Sequence, residues 1–197
     1  MEQLKNEKLT VTISAHGAEL QSIKNAEGRE YLWQGDEKYW PRRSPLLFPI
    51  VCGLWKDEYR VDGRTFNLPR HGFARDMDFE VVDKSDTSVT YTLESSPETR
   101  EVYPYDFELD VTYILNDDAI SVIWSVKNTG KQEMHFQIGG HPAFNLPGVA
   151  EGDKMHGSIL FDNVEPLTRI IGNTGGCIKP ERYELKTDRQ VWNFDEE

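Results

Sequence analysis

Apolar side chains along this chain recur at every second position far more often than at the helical spacing of three and four. Leu9, Val11 and Ile13 in KLTVTISA fall on one face of an extended segment, and alternation of this kind marks a half-buried strand. YRVDGRTFNL sets Asp62 and Gly63 between two short β-rich runs. An Asp-Gly pair accepts the positive φ of a tight turn, so it predicts a two-residue hairpin. FEVVDKSDTSVTYTLES and FELDVTYILNDDAISVIWSVKNTG alternate in the same way and predict two more strand pairs, turning at residues 84–87 and 116–118. The helical signal is confined to SPETREVYP, where Ser96 is placed to cap and Pro97 to take the first helical position. Antiparallel meanders with one or two short helices predict an all-β class, an antiparallel β-sandwich. No repeat, linker or composition shift divides residues 1–197, so a single domain is expected.

Composition narrows the partners. With 38% hydrophobic and 11% aromatic residues, 197 residues suffice for an ordinary core. A formal net charge of -12 repels phosphate backbones and anionic lipid, which argues against nucleic acid and membrane and leaves a neutral small molecule open. MEQLKNEKLT has no apolar stretch behind its positive charges, and no run reaches the ~18 apolar residues of a spanning helix, so a cytoplasmic location is expected. The two cysteines, Cys52 and Cys177, are expected as unpaired thiols. Most of the aromatic rings belong in a sandwich core, with a few available as faces for sugar rings.

The chemistry emerges by elimination. GxGxxG, Walker and GxSxG motifs are absent. The histidines, His16, His71, His135, His141 and His156, form no HExxH or HxH pattern, and no CxxC accompanies them, so neither a metal nor a cofactor is expected. His135 and His141 would lie about 20 Å apart on one face of an extended strand. Three segments break the strand period: WPRRSPLLFPIV, LPRHGFARDM and GGHPAFNLPG. His71 and His141 each adjoin Gly or Pro and are followed within three residues by Phe, and Arg42, Arg43, Arg70 and Arg75 flank the set. Either histidine alone reads equally as a turn residue bonded to backbone carbonyls; the two together, with the arginines, favour a ligand cleft. The strand is expected to break at Gly139 and Gly140 so that His141 reaches that cleft, with Pro142 stiffening the exit. Phe144 and Asn145 would line the same wall, Asn145 as a hydroxyl partner.

RRSPLLFPIV, HGFARDM, VYPYDFELDVTYIL and IGGHPAFN, in this order, resemble the aldose 1-epimerase (galactose mutarotase) family, most closely its LacX-like branch, from about residue 9 to the carboxyl end. The resemblance implies a large, twisted antiparallel β-sandwich whose open cleft binds a hexose, such as galactose or glucose, and interconverts its anomers without a cofactor. It implies that His141 is the general acid and that His71 binds and orients the sugar. Arg42, with Arg43 beside it, matches the arginine that contacts sugar hydroxyls. An imidazole with an ordinary pKa of about 6.5 exchanges protons in either direction near neutrality, which suits such a role. The family's general base is a glutamate in a late motif, and this chain ends at RQVWNFDEE before anything like it. Glu133, Glu151, Glu165, Glu196 and Glu197 are carboxylates outside the matching context, so the base and the last sandwich strands are expected to lie beyond residue 197. Three functions follow: a mutarotase whose active form needs further sequence, a carbohydrate-binding sandwich without catalysis, or a hexose-6-phosphate 1-epimerase in which Arg70 or Arg75 pairs the phosphate bidentately.

Overall fold

In the computed structural model, which describes residues 1–146, 148–149, 152–153, 157–162, 167–172, 178–185 and 191–193, the alternating segments take the extended form their pattern predicts. The chain divides into two units, Met1–Asn145 and Leu146–Glu197. Glu151, His156, Glu165, Cys177, Glu196 and Glu197 lie outside the described residues; among the described residues Cys52 is a free, exposed cysteine.

In the first unit, β1 (Glu2–Lys5), β2 (Leu9–Ile13) and β3 (Leu20–Asn25) form a three-stranded antiparallel sheet. The short β4 (Leu46–Leu47) follows, then the hairpin of β5 (Glu58–Val61) and β6 (Arg64–Asn67). Asp62 and Gly63 both take positive φ, 48° and 77°, as the right-handed twist of a two-residue hairpin requires. A second sheet is built from β7 (Glu80–Lys84), β8 (Ser88–Glu94), β9 (Phe107–Asn116) and β10 (Ala119–Asn128), in the order β10-β9-β8-β7. Between β8 and β9 lies α1 (Pro97–Val102). Ser96 Oγ accepts from the Thr99 N–H and Thr99 Oγ1 accepts from the Ser96 N–H, a reciprocal cap that satisfies two otherwise orphaned donors.

Period two decides which residues meet between the sheets. Leu9, Val11 and Ile13 of β2 are buried, as are Val89, Tyr91 and Leu93 of β8 and Phe107, Leu109, Val111, Tyr113 and Leu115 of β9, and all belong to one core. Two tyrosines tie the layers: Tyr113 Oη donates to Ala18 O at 2.7 Å and Tyr91 Oη to Ile13 O at 3.4 Å. Each buried hydroxyl thereby keeps a hydrogen-bond partner. An all-β antiparallel sandwich is the observed class.

One local expectation is met only in part. Gly139 and Gly140 are themselves a strand, β11 (Gly139–Gly140), paired antiparallel with β4, and it stops at Gly140, before His141. The segment before it, including His135, lies outside any strand, and His135 lines a groove with Tyr59, Tyr105 and Glu133 while its carbonyl accepts from Tyr103 Oη. The glycines permit close packing here: a Cβ on Gly140 would approach the Trp124 ring to 3.2 Å, and one on Gly139 the Val51 side chain to 3.4 Å. Missing side chains, which read as a strand breaker in sequence, here let a strand pass through a crowded place.

In the second unit β12 (Ser158–Leu160) pairs with β15 (Val191–Asn193), and β13 (Thr168–Gly172) with β14 (Ile178–Glu184), both antiparallel. Among the described residues no helix is long and apolar enough to cross a membrane.

Candidate active site

The three segments that interrupt the strand pattern come together in the first unit, and residues 40–52 are the hub that joins the other two. On one side the Phe48 N–H donates to His71 O at 3.2 Å and Phe48 O accepts from the N–H groups of Phe73 and Ala74. On the other, β4 pairs with β11, the His141 N–H donates to Pro45 O at 3.1 Å, and the Ala143 N–H to Arg43 O at 2.9 Å. Gly72 explains the HGF sequence: at φ +71°, a Cβ there would stand 2.2 Å from Phe48 O, so only glycine lets the backbones meet.

That lacing puts the His71 and His141 rings 6.0 Å apart, centroid to centroid, in an edge-on arrangement. The two imidazoles are held differently. The Cys52 N–H donates to His71 Nδ1 at 3.0 Å, while the His71 N–H donates back to Cys52 O at 2.9 Å. With Nδ1 accepting, the neutral ring must carry its proton on Nε2. Partial burial first, then the positive charges of Arg75, His141, Arg70 and Arg42, push the His71 pKa below its ordinary 6.5. At neutral pH His71 is therefore an uncharged ring presenting an Nε2–H donor.

His141 is exposed, and no hydrogen bond holds its ring among the described residues. Its neighbours are His71 and the Trp40 indole, whose centroid lies 5.0 Å away at a tilt of 41°. Both imidazole nitrogens remain open to solvent or a ligand.

The arginines separate into two sets. Arg42 Nη2 donates to Asp76 Oδ1 at 2.7 Å, and Arg75 Nε lies 3.5 Å from Asp76 Oδ2 while its Nη2 donates to Arg70 O at 2.7 Å. Arg42, Arg75 and Asp76 thus form a charged cluster on the His71 side. Arg70 is exposed and its guanidinium pairs with no carboxylate among the described residues. Arg43, one residue from Arg42, turns the other way: its Nη1 donates to Gln21 Oε1 at 3.0 Å, and its N–H, with that of Ser44, donates to Glu19 Oε1 at 3.0 and 2.8 Å. Asn145 also serves the scaffold, its Nδ2 donating to the carbonyls of Leu32 at 2.9 Å and Glu30 at 3.3 Å.

The larger cavity, about 880 Å³, does not border His71 or His141. It lies between the two sheets and is lined mainly by apolar side chains, among them Leu20, Tyr113, Val122, Trp124 and Phe144. We place the candidate site at the histidines because the polar groups converge there; the cavity is an apolar groove open to solvent, with Val122, Trp124 and Phe144 exposed along it. Among the described residues no three His, Cys, Asp or Glu side chains gather as a metal centre would require. Trp40, Glu19 and Asp76 carry no mark of their roles in the sequence, since each is defined by a partner far along the chain or by a ring packed against it.

The sequence profile described as Aldose 1-epimerase matches residues 2–160. The chain is 41% identical over 171 residues to the chromosomal LacX protein of Lactococcus lactis, covering 83% of this chain and 56% of that one. Among solved structures it is similar to a galactose mutarotase related enzyme from Lactobacillus acidophilus, at 36% identity and a TM-score of 0.86, covering 97% of this chain and 64% of the other. A galactose mutarotase-like protein from Lactobacillus casei superposes with a TM-score of 0.84 at 38% identity, over 94% of this chain and 67% of its own. The present sequence thus spans little more than half the length of the LacX relative. With the two histidine segments joined on a shared hub, an antiparallel sandwich beneath them and a profile match over most of its length, the chain belongs to the aldose 1-epimerase family.

Proposed function

We propose that this chain carries the acid and sugar-orienting side of an aldose 1-epimerase acting on a hexose. The observation that carries the reading is the pair of unequal imidazoles 6.0 Å apart, one locked as a neutral donor and one free. His141, protonated, delivers its proton to the ring oxygen as the bond from that oxygen to C1 breaks. A base takes the proton of the C1 hydroxyl, leaving an open aldehyde. The aldehyde turns, its other face is attacked by the released hydroxyl, and both protons return. His71 donates Nε2–H to a sugar hydroxyl and fixes the ring, with Arg42 and Arg75 on the same side as further donors. Arg43 and Asn145, already engaged with Gln21 and the residue 30–32 backbone, support the wall.

Asp76 is occupied by Arg42 and Arg75, which disqualifies it as a free base. We assign the base to polypeptide of the kind the longer relatives carry. The test is polarimetry of galactose or glucose mutarotation. The isolated 197-residue chain should leave the spontaneous rate unchanged, and the chain extended by the carboxyl-terminal segment of the Lactobacillus acidophilus relative should accelerate it. Acceleration by the isolated chain, abolished by Glu133→Gln or Glu165→Gln, would place the base inside residues 1–197 and sink this assignment.

Arg70 favours a second reading. An exposed guanidinium without a carboxylate, next to His71, suits an anionic hexose such as a 6-phosphate. Arg70→Ala should then weaken binding of the hexose phosphate and spare the free hexose; equal effects reject it.

A further inference from the structure

β10 is the outermost strand of its sheet: β9 lies on one side, and among the described residues no strand lies on the other. Its even-numbered residues Ile120, Val122, Trp124 and Val126 stand opposite Leu115, Tyr113, Val111 and Leu109 of β9, all buried, and so face the core. Yet Val122, Ile123 and Trp124 are 40%, 50% and 38% exposed. An edge of ten residues, about 34 Å long if fully extended, thus offers unpaired backbone groups beside apolar side chains. The features that commonly blunt such an edge are missing from β10: it has no proline, no charge before Lys127, and no bulge in its register with β9.

The strand is complementary to itself. An antiparallel two-fold centred on Ile123 sets Ile123 opposite its counterpart, Val122 opposite Trp124, Ser121 opposite Ser125, Ile120 opposite Val126 and Ala119 opposite Lys127. Because side chains alternate with period two, this register keeps every core-facing apolar residue of both copies on one face, whereas a slip by one residue would put the two apolar faces on opposite sides. Valine against tryptophan is a favourable cross-strand pair, and no two like charges stand opposite each other.

We propose that β10 is an interaction surface for a second copy of this chain, joining the four-stranded sheets of two copies edge to edge about Ile123. The pairing converts open backbone groups into a ladder and covers Val122 and Trp124. Two copies each carrying a net charge of -12 repel, so the dimer should strengthen as salt screens them.

The test uses the 197-residue chain with light-scattering mass and cross-linking. A dimer mass is expected at low-micromolar to millimolar concentration, increasing with salt. Ile123→Lys, which sets two ammonium groups face to face on an outward position, should return it to a monomer with its circular dichroism unchanged. In a Cys52→Ser, Cys177→Ser background, Ile123→Cys should form an intermolecular disulfide on oxidation. Ser121→Cys, set four residues from its own counterpart, should not, because disulfides require Cα atoms within roughly 7 Å. A monomer throughout, a dimer indifferent to Ile123→Lys, or equal cross-linking at the two positions overturns the proposal. So does a monomer that takes up the carboxyl-terminal segment of a longer relative along β10, since the edge then belongs to that segment.

Discussion

The two histidine segments differ in how much of their geometry is imposed by backbone. Around His71 the chain has little freedom: His71 and Gly72 both take positive φ, 69° and 71°, the Phe48 carbonyl sits against Gly72, and the Cys52 N–H fixes the ring nitrogen. Around His141 the backbone is pinned at Pro45 and Arg43, but the ring is exposed, stands beside the Trp40 and His71 rings, and makes no hydrogen bond among the described residues. A ring whose tautomer is locked is suited to hold and orient. One with open nitrogens can give up and recover a proton without breaking an internal bond. On the proposed function, the contrast gives different work to two residues that look alike in sequence, each a histidine beside a glycine.

The largest effect should come from the free ring. In the chain extended by a relative's carboxyl-terminal segment, His141→Asn should slow mutarotation by ~10²–10⁴, the usual range for losing positioned acid–base transfer. Its unfolding midpoint should hardly move, because an exposed ring without hydrogen bonds contributes little packing. Polarimetry and denaturant unfolding on one preparation check both halves, and an unchanged rate removes His141 from the chemistry.

The glycines sharpen the contrast on the stability side. Gly72→Ala forces a Cβ into the Phe48 carbonyl at a positive φ and should destabilise the first unit by roughly 3 kcal/mol. Gly140→Ala is crowded by side chains alone, the Trp124 ring at 3.2 Å, which can shift, and Pro142 Cδ at an ordinary 3.8 Å, and should lose about 1 kcal/mol. Similar losses at both glycines, measured in urea, would mean that the two segments are equally constrained.

Much of this was legible in the sequence. Alternation located the β8 to β10 strands and their turns, Asp62-Gly63 located the hairpin, and Ser96-Pro97 the start of α1, because each is a local signal carried by neighbouring residues. The three irregular segments were legible as breaks in the strand pattern, and they do converge. Side-chain direction within them was not. Arg42 and Arg43 are adjacent, and only the long-range partners Asp76 and Gln21 decide which faces the histidines. Asn145, read as a hydroxyl partner, spends its amide protons on carbonyls more than a hundred residues away. Gly139 and Gly140, expected to interrupt a strand, form a two-residue one that stops before His141, because a missing side chain also admits close packing.

A smaller effect is expected at His71. Asn is the substitution that tolerates φ near +69°, and His71→Asn keeps a short polar group while losing Nε2–H. In the extended chain it should raise KM about tenfold, roughly 1.4 kcal/mol, with a lesser fall in kcat, as expected when an orienting contact is lost. Saturation kinetics that do not change would leave His71 a purely structural residue.

The finest distinction is in the titration of His71, because the locked ring carries a depressed pKa whose causes can be removed one at a time. Partial burial and then the charges of Arg75, His141, Arg70 and Arg42 all disfavour the imidazolium, so the folded state binds this proton less readily than the unfolded chain. The stability contributed by neutral His71 is therefore fully present above the unfolded value of about 6.5 and is lost as pH falls through the lower folded value. Proton NMR of the imidazole resonances should show His71 titrating below 6.5, and Arg70→Ala should move that midpoint upward without disturbing the fold, since Arg70 is exposed and unpaired among the described residues. Protonation also removes the Nδ1 acceptor, so the Cys52 amide proton should exchange faster across the same pH range. A His71 midpoint at or above 6.5, or a Cys52 amide indifferent to that titration, would show that the ring is not held as a neutral donor, and the division of labour between the two histidines would lose its physical basis.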